Sequence, residues 1–175
     1  MDQLEEAKDH WSKFSGALSE RDGFTELALA SRRVNLHPGD SLVTQGDTSQ
    51  SVYLLLDGTL KTVRYSKNGH EIWLASFSQG ALIGEMSGLT GAARSSTEIA
   101  VTPVLALAVD YPDFEAAIHA APGVGLRVSK LLAERVRNTS IQLDELATLQ
   151  TSARLHSELF RLGTLDATDE ERATI

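Results

Sequence analysis

The segment from residue 84 to residue 96 brings acidic, basic and small polar side chains close together in the sequence. Its candidate binding residues are Gly84, Glu85, Met86, Arg94, Ser95 and Ser96. Glycine lets a backbone approach a ligand closely because it has no side chain. The Glu85 carboxylate can accept hydrogen bonds from sugar hydroxyls, and the planar, permanently charged fork of Arg94 suits a phosphate. The segment therefore predicts a site for a small anionic sugar phosphate, the alternative being an ordinary surface ion pair.

A short helical turn is predicted from Met86 to Leu89, immediately after the glycine and the glutamate. The first amide N–H groups of a helix have no acceptor within the helix, so they can point toward negative charge. The hydroxyls of Ser95 and Ser96 stand beside Arg94 and could add hydrogen bonds to the same anion.

The region from Arg33 to Val109 is predicted to consist of short strands, because turn signals recur in it at short intervals. These signals are Pro38-Gly39-Asp40, Gln45-Gly46-Asp47, Asp57-Gly58, Asn68-Gly69, Gln79-Gly80 and Gly91. Asn68-Gly69 between two apolar runs predicts a hairpin with a type I′ turn. The region is expected to form an all-β barrel or sandwich.

Helices are predicted on both sides of this region. Leu4, Ala7, Trp11 and Phe14 recur at helical spacing and Leu18 continues the series, while Phe24, Leu27 and Leu29 suggest a second short helix or turn. Pro112 fits the first turn of a helix over residues 111–120, and Pro122-Gly123 is expected to end it.

A long helix is predicted from Val124 onward, with a narrow stripe of apolar or small residues. The stripe consists of Leu132, Val136, Thr139, Leu143, Leu146, Gln150 and Ala153. Steps of four and three residues are typical of a coiled-coil seam. We expect a homodimer through the helix around residues 128–153, the alternative being that the stripe packs on its own β region. A further helix is predicted to end at Gly163.

The bulk composition excludes several classes of site. The chain contains no cysteine, which rules out disulfides, thiolate metal sites and cysteine-bound iron–sulfur clusters. Its net charge of −8 has the wrong sign for a chain that holds DNA by itself. Neither a signal peptide nor an apolar run of membrane-spanning length is visible, so a cytoplasmic location is expected.

Several stretches in the same order and spacing resemble the cyclic nucleotide-binding domain, and more closely the CRP/FNR family of transcription regulators. The resemblance runs from about residue 25 to residue 163. The matching stretches are residues 45–47, 52–58, 69–77, 84–96 and 131–149.

This resemblance implies an α+β, mainly β fold: a jelly-roll-like β-roll with flanking helices and a long C-terminal dimerisation helix. It implies a cyclic nucleotide as the ligand, with cAMP as the expected one, and neither a metal nor a further cofactor. Arg94 would bind the cyclic phosphate and Glu85 the ribose 2′-hydroxyl, while Leu74 and Phe77 would be apolar walls around the base. On the long helix, Arg135, Thr139 and Ser140 match family positions that contact the phosphate region and the adenine amine.

The implied domain layout has three parts. Residues 1–121 would hold the N-terminal helices and the β-roll, residues 122–163 the dimerisation helix and the helix after it, and residues 164–175 a tail or linker. Family members end in a helix-turn-helix, which the last twelve residues are too short and too acidic to form. DNA would thus be bound only through a C-terminal domain that this chain lacks, either because it is cut from a longer regulator or because it is a stand-alone sensor.

Two departures from the family pattern concern the ligand. Ser96 stands where the family more often has alanine, and the interval from Glu85 to Arg94 is one residue shorter than in the bacterial activator. The extra hydroxyl of Ser96 could affect ligand preference, whereas the shorter interval is interpreted as a tolerated change of loop length. Because many family members bind no cyclic nucleotide, the alternatives are a regulator with another ligand or none, or a nucleotide-binding subunit that controls another protein. A haem sensor using His70 as axial ligand is a further alternative. Catalysis is not expected, because the five histidines are scattered and no nucleophile motif or P-loop is present.

Overall fold

The computed structural model of the chain describes residues 3–15 and 24–148, and its regular elements follow the predicted order. The helices are α1 Gln3–Ser15, α2 Thr25–Ala30, α3 Glu85–Thr90, α4 Tyr111–Ala120 and α5 Pro122–Thr148. The strands are β1 Arg32–Leu36, β2 Ser41–Val43, β3 Ser51–Asp57, β4 Leu60–Tyr65, β5 Glu71–Phe77, β6 Leu82–Ile83, β7 Thr97–Ala100 and β8 Val104–Asp110.

Within the described residues the strands form two antiparallel four-stranded sheets. One sheet has the order β1-β8-β3-β6, and the other has the order β2-β7-β4-β5. Strands β3 and β8 are buried along most of their length because one face lies in the core of the roll and helices α2, α3 and α4 contact these strands. The mainly β fold with flanking helices and a long C-terminal helix is confirmed.

Helix α1 buries the apolar side of its predicted stripe. Ala7, Trp11 and Phe14 are buried, and the Trp11 ring packs 6.0 Å from the ring of Phe114 in α4. The Trp11 Nε1–H donates to Ser31 Oγ at 2.9 Å, which satisfies the polar edge of a side chain with no solvent exposure. The first helix is therefore confirmed, and the predicted continuation at Leu18 lies outside the described residues.

The hairpin between β4 and β5 is confirmed, but the predicted type I′ turn is wrong. A type I′ turn requires positive φ at both central residues, whereas among the described residues only glycines have positive φ. The turn closes with the Gly69 N–H donating to Ser66 O at 2.9 Å, and Gly69, with φ of +79°, is its last residue. The loop is longer than two residues, so the positive φ falls on the glycine that ends the turn and Asn68 has a negative φ.

Helix α5 begins at Pro122, two residues before the predicted start, because proline fits the first turn of a helix. Contacts divide the chain into two compact units, Met1–Val128 and Ser129–Ile175. In the second unit, Val136 and Leu143 are 66% and 61% exposed, although both belong to the predicted seam. The predicted domain boundaries at residues 121 and 163 stay predictions, and the helix before Gly163 and the tail after it lie outside the described residues.

Candidate functional site

The loop Gln45-Gly46-Asp47 fixes the backbone of Arg94. The Arg94 N–H donates to Asp47 O at 2.8 Å, and the Gly46 N–H donates to Arg94 O at 2.9 Å. Paired backbone hydrogen bonds of this kind hold a residue in place as in a sheet ladder. The turn signal that sequence reading assigned to a corner of the roll therefore also positions the candidate phosphate ligand.

The Arg94 side chain points into the roll, where it is only 4% exposed. Its Nη1 donates to Gly84 O at 2.9 Å and its Nη2 donates to Ser51 O at 2.6 Å. A third contact joins Nε to Ser49 Oγ at 3.4 Å, and the guanidinium carbon lies 5.9 Å from the centre of the Tyr53 ring. The guanidinium is thus held by acceptors from β3, from the segment before it and from the residue that precedes α3.

Burial lowers the pKa of the Arg94 guanidinium, and the neighbouring side chains partly offset that effect. In order of size, the groups that raise this pKa are Tyr53, Glu85, Asp47 and Glu98. An arginine nevertheless remains charged in a protein. Among the described residues Arg94 is the buried basic side chain, and Glu85 and Glu98 are the buried acidic ones. The interior of the roll therefore holds a fixed positive charge among carboxylates.

Gly84 is required by both its conformation and its surroundings. Its φ of +87° lies in the left-handed region, which side chains disfavour. A Cβ there would lie 2.4 Å from Arg94 Nη1 and 2.7 Å from Ser51 O. The expected close approach of backbone is therefore present, and it brings Gly84 against the arginine.

Glu85 is fully buried and is the first residue of α3. The short helix is confirmed, although it begins one residue earlier and ends one residue later than predicted. Met86 follows on the same helix and is 50% exposed. Gly84, Glu85 and Arg94 are thus brought together, with the carboxylate near enough to raise the pKa of the guanidinium.

Ser95 and Ser96 have different surroundings. Ser95 is exposed, beside the buried arginine. Ser96 is half-buried, and its hydroxyl donates to Glu98 Oε1 at 3.0 Å. Glu98 also accepts a hydrogen bond from Thr62 Oγ1. The hydroxyl of Ser96 therefore binds a second buried carboxylate that sequence reasoning did not single out.

Leu74 and Phe77 both lie on β5. Leu74 is 43% exposed, whereas Phe77 is partly buried against the main core cluster. The pairing with β4 passes from Thr62↔Ala75 to Val63↔Trp73, so Leu74 is the extra residue of a β-bulge. Because a bulge interrupts the alternation of side chains, two residues three positions apart can face the same side of a strand. Their role as walls around a base stays a prediction.

Arg135, Thr139 and Ser140 lie on α5, within the second compact unit. The Thr139 hydroxyl donates to Arg135 O and the Ser140 hydroxyl to Val136 O, each at 2.9 Å. Both hydroxyls are exposed and bind carbonyl oxygens one helical turn earlier. The backbone of the helix thus accepts both hydroxyl protons, and the contacts of these residues with a ligand stay predictions.

Several residues of the site escaped sequence reasoning. Arg94 is held by main-chain oxygens of Ser51 and Gly84, and any residue type carries such an oxygen. Glu98 could have been found from strand alternation, because it lies two residues before the core residue Ala100 on β7. Its position predicts an inward carboxylate, which is uncommon unless partners bind it.

The arrangement suits binding of an anion that also carries a hydroxyl group. A buried guanidinium with positioned neighbours can pair with a phosphate, and a buried carboxylate beside it can accept from a hydroxyl. Within residues 3–15 and 24–148, no group of three or more His, Asp or Glu side chains could hold a metal ion. None of the helices in that part of the chain is long and apolar enough to cross a bilayer.

Comparison with known proteins identifies the relatives of this arrangement. The family described as cyclic nucleotide-binding domain matches residues 33–121. The cyclic AMP receptor protein of Thermus thermophilus is 34% identical over 138 residues, which are 78% of this chain and 64% of that protein. The cAMP-activated global transcriptional regulator CRP of Pasteurella multocida is 30% identical over 145 residues, 81% of this chain and 69% of the relative.

A solved structure agrees with these sequence matches. The crystal structure of the Thermus thermophilus catabolite activator protein superposes with a TM-score of 0.62 at 34% identity. The superposition covers 70% of this chain and 59% of that one. The chain therefore spans about two thirds of the length of these relatives, and the family match over residues 33–121 includes the buried Glu85 and Arg94.

Proposed function

We propose that the chain is the ligand-sensing part of a transcription regulator, because it belongs to the cyclic nucleotide-binding domain family and is related to CRP-type regulators. In this proposal the β-roll binds a cyclic nucleotide in the cytoplasm and controls a dimer. Two relatives carry cAMP in their names, which makes cAMP the first ligand to test.

The observation that carries the proposal is the inward position of Arg94 beside Glu85. Three of the five N–H donors of the guanidinium bind protein oxygens. The other two suit the oxygens of a cyclic phosphate, whose single charge the guanidinium neutralises. Glu85, at the start of α3, is the acceptor for the ribose 2′-hydroxyl.

The remaining predicted residues supply the other contacts with the ligand in this proposal. Ser95 adds a hydroxyl from the exposed side of Arg94, while Ser96 acts through Glu98. Gly84 and Met86 supply backbone beside the ligand, and Leu74 and Phe77 enclose the base. Arg135, Thr139 and Ser140 on α5 stay predicted contacts of the ligand, as the family resemblance implies.

Titration calorimetry of the chain with cAMP, cGMP and 5′-AMP tests the proposal. We expect saturable heat from a cyclic nucleotide and at least about tenfold weaker binding of 5′-AMP, because its second phosphate charge and open ring fit neither a single guanidinium nor a pocket shaped for the cyclised sugar. The 5′-AMP titration also controls for non-specific nucleotide binding. Equal affinity for all three nucleotides, or no heat from any, would contradict the proposal.

A homodimer through α5 is the second part of the proposal. Val136 and Leu143 present exposed apolar side chains at seam spacing, and a second copy of the helix is the simplest surface to cover them. DNA binding would belong to a further domain, as the relatives extend beyond the matched region. A ligand that binds the two states of such a dimer with different affinity shifts its population.

Leu143→Lys should weaken the dimer at least about tenfold in dissociation constant, because it puts a charge into the apolar seam. Sedimentation velocity over a concentration series measures this constant. Asn138→Lys is the matched control, since the same charge is added to an exposed position outside the seam. A wild-type chain that stays monomeric at high concentration, or equal weakening by both variants, would argue against this interface.

A further inference from the structure

Glu98 is a buried carboxylate that contacts neither the phosphate nor the ribose in the proposed binding mode, where its one role is to bind the hydroxyl of Ser96. It is 4% exposed on β7, and hydroxyls of Thr62 and Ser96 donate to its two oxygens. Burying a carboxylate is costly unless other groups bind it. A sheet needs no carboxylate at this position, since apolar residues of similar volume would fill it without that cost.

The register of the second sheet places Glu98 between the core and Arg94. Glu98 pairs with Thr62 on β4, and Thr62 pairs with Ala75 on β5, so these three residues form one row across the sheet. The next row on the same face of the sheet lies on the side away from Arg94. It consists of Leu60, Phe77 and Ala100, which belong to the core cluster or pack against it. On the near side the chain leads back through Ser96 to Arg94.

The row is suited to be a floor for the flat part of a ligand. Thr62 and Ala75, which lie beside the carboxylate in this row, have small side chains. Glu98 is close enough to Arg94 to raise the pKa of the guanidinium. A nucleotide whose phosphate lies on Arg94 and whose base extends along β7 toward the core therefore brings the base edge to Glu98.

An ionised carboxylate accepts hydrogen bonds and donates none. The Watson–Crick edge of guanine carries two neighbouring donors, N1–H and the 2-amino group, which match its two oxygens. Adenine carries one donor beside the N1 lone pair, which the carboxylate repels. Each carboxylate oxygen accepts two hydrogen bonds, so one hydroxyl on each does not exhaust it.

We propose that Glu98, oriented by Thr62 and Ser96, selects the base and makes the pocket prefer cGMP to cAMP. This inference rests on the proposed function and specifies guanine as the base of the ligand. The cAMP in the relatives' names belongs to those proteins, whereas Glu98 and its hydroxyl partners are features of this chain.

A ligand series on the wild-type chain tests the proposal without any substitution. We expect calorimetry to give a dissociation constant for cGMP at least about tenfold lower than for cAMP. A tenfold ratio is the effect on affinity that one hydrogen bond to a charged group produces. Cyclic IMP keeps N1–H but lacks the 2-amino group, so it should fall between the two. Equal or tighter binding of cAMP would overturn the base assignment while leaving the proposed function intact.

Glu98→Gln separates selection from a merely structural role. The amide can still form hydrogen bonds with both hydroxyls, but its NH₂ group faces one of the two guanine donors. The dissociation constant for cAMP divided by that for cGMP should therefore fall about tenfold. Thr62→Val, which removes one orienting hydroxyl, should lower the same ratio by a smaller factor. If Glu98→Gln weakens both nucleotides equally, Glu98 only holds the sheet. If the wild-type chain binds neither nucleotide, the proposed function itself fails.

Discussion

Arg94→Leu should abolish measurable binding of a cyclic nucleotide. Truncating one partner of a buried charge pair costs about 2–5 kcal/mol, a loss of about thirty- to several-thousandfold in affinity. The loss arises because leucine has no donor for the phosphate and leaves Glu85 and Glu98 as the buried charges of the roll. Calorimetric titration of the variant and the wild type with the same nucleotide measures the difference.

The same substitution should also lower the free energy of unfolding, by about 1–3 kcal/mol. The carbonyl oxygens of Ser51 and Gly84 lose the guanidinium donors that bind them in the wild type. Thermal and urea unfolding measure the change in the free energy of unfolding separately from the change in binding. Titrations are then carried out well below the melting temperature of the variant, so that unfolding is not mistaken for loss of the site.

Arg94→Lys is the matched control for charge. Lysine keeps the positive charge, but its single ammonium cannot reproduce the planar fork that reaches Gly84 O, Ser51 O and a phosphate together. We expect affinity between those of the wild type and of Arg94→Leu. A folded Arg94→Leu protein that binds with wild-type affinity would show that the guanidinium is purely structural, and the proposed phosphate contact would be wrong.

The parts of the candidate site that depend on side-chain type could be proposed from the sequence, and their binding roles stay predictions. Glu85 and Arg94 have the charges and spacing of an anion site, and both are buried as that interpretation requires. The order of helices and strands was also predictable, because turn residues interrupt the apolar runs of the roll at regular intervals. These features depend on residues that are close together in the sequence, so they can be predicted without knowledge of the tertiary structure.

The parts that escaped prediction depend on contacts between distant segments. Ser51 and Arg94 are joined through a main-chain oxygen 43 positions away in the sequence, and no residue type marks such an acceptor. Strand alternation turns Glu98 inward, but the hydroxyl of Thr62 that donates to it lies 36 positions away in the sequence. The turn at Asn68-Gly69 differed because loop length, which depends on where the strands stop pairing, decides which residue takes positive φ.

The charged side chains that are buried inside the roll affect its stability in the absence of a ligand. One guanidinium lies beside two buried carboxyl groups in the interior of the roll. Hydroxyl donors on Glu98 and carbonyl acceptors on Arg94 lower the cost of burying these groups. Because the acceptors on Arg94 are backbone atoms next to α3 and in β3, the position of the arginine is tied to the position of those elements.

Gly84→Ala should therefore damage both stability and binding. The substitution forces an L side chain into a conformation with φ of +87°, at a cost of about 1–2 kcal/mol. It also places a Cβ 2.4 Å from Arg94 Nη1 and 2.7 Å from the backbone oxygen of Ser51, and relieving such overlap costs a further 1–3 kcal/mol or so. Part of the relief must come from moving the arginine, which displaces the proposed phosphate ligand.

Gly91→Ala is the control that separates the two costs. Gly91 also has positive φ, +67°, but a Cβ there meets nothing within 4 Å. Its loss of unfolding free energy in urea should stay near the conformational cost of about 1–2 kcal/mol, and its nucleotide affinity should stay near that of the wild type. Gly84→Ala should lose more stability than this control and at least about tenfold in affinity, since a displaced guanidinium forfeits a charge-assisted hydrogen bond. Equal losses in the two variants would mean that the contact between Gly84 and Arg94 does not position the arginine, because conformation alone would then explain both.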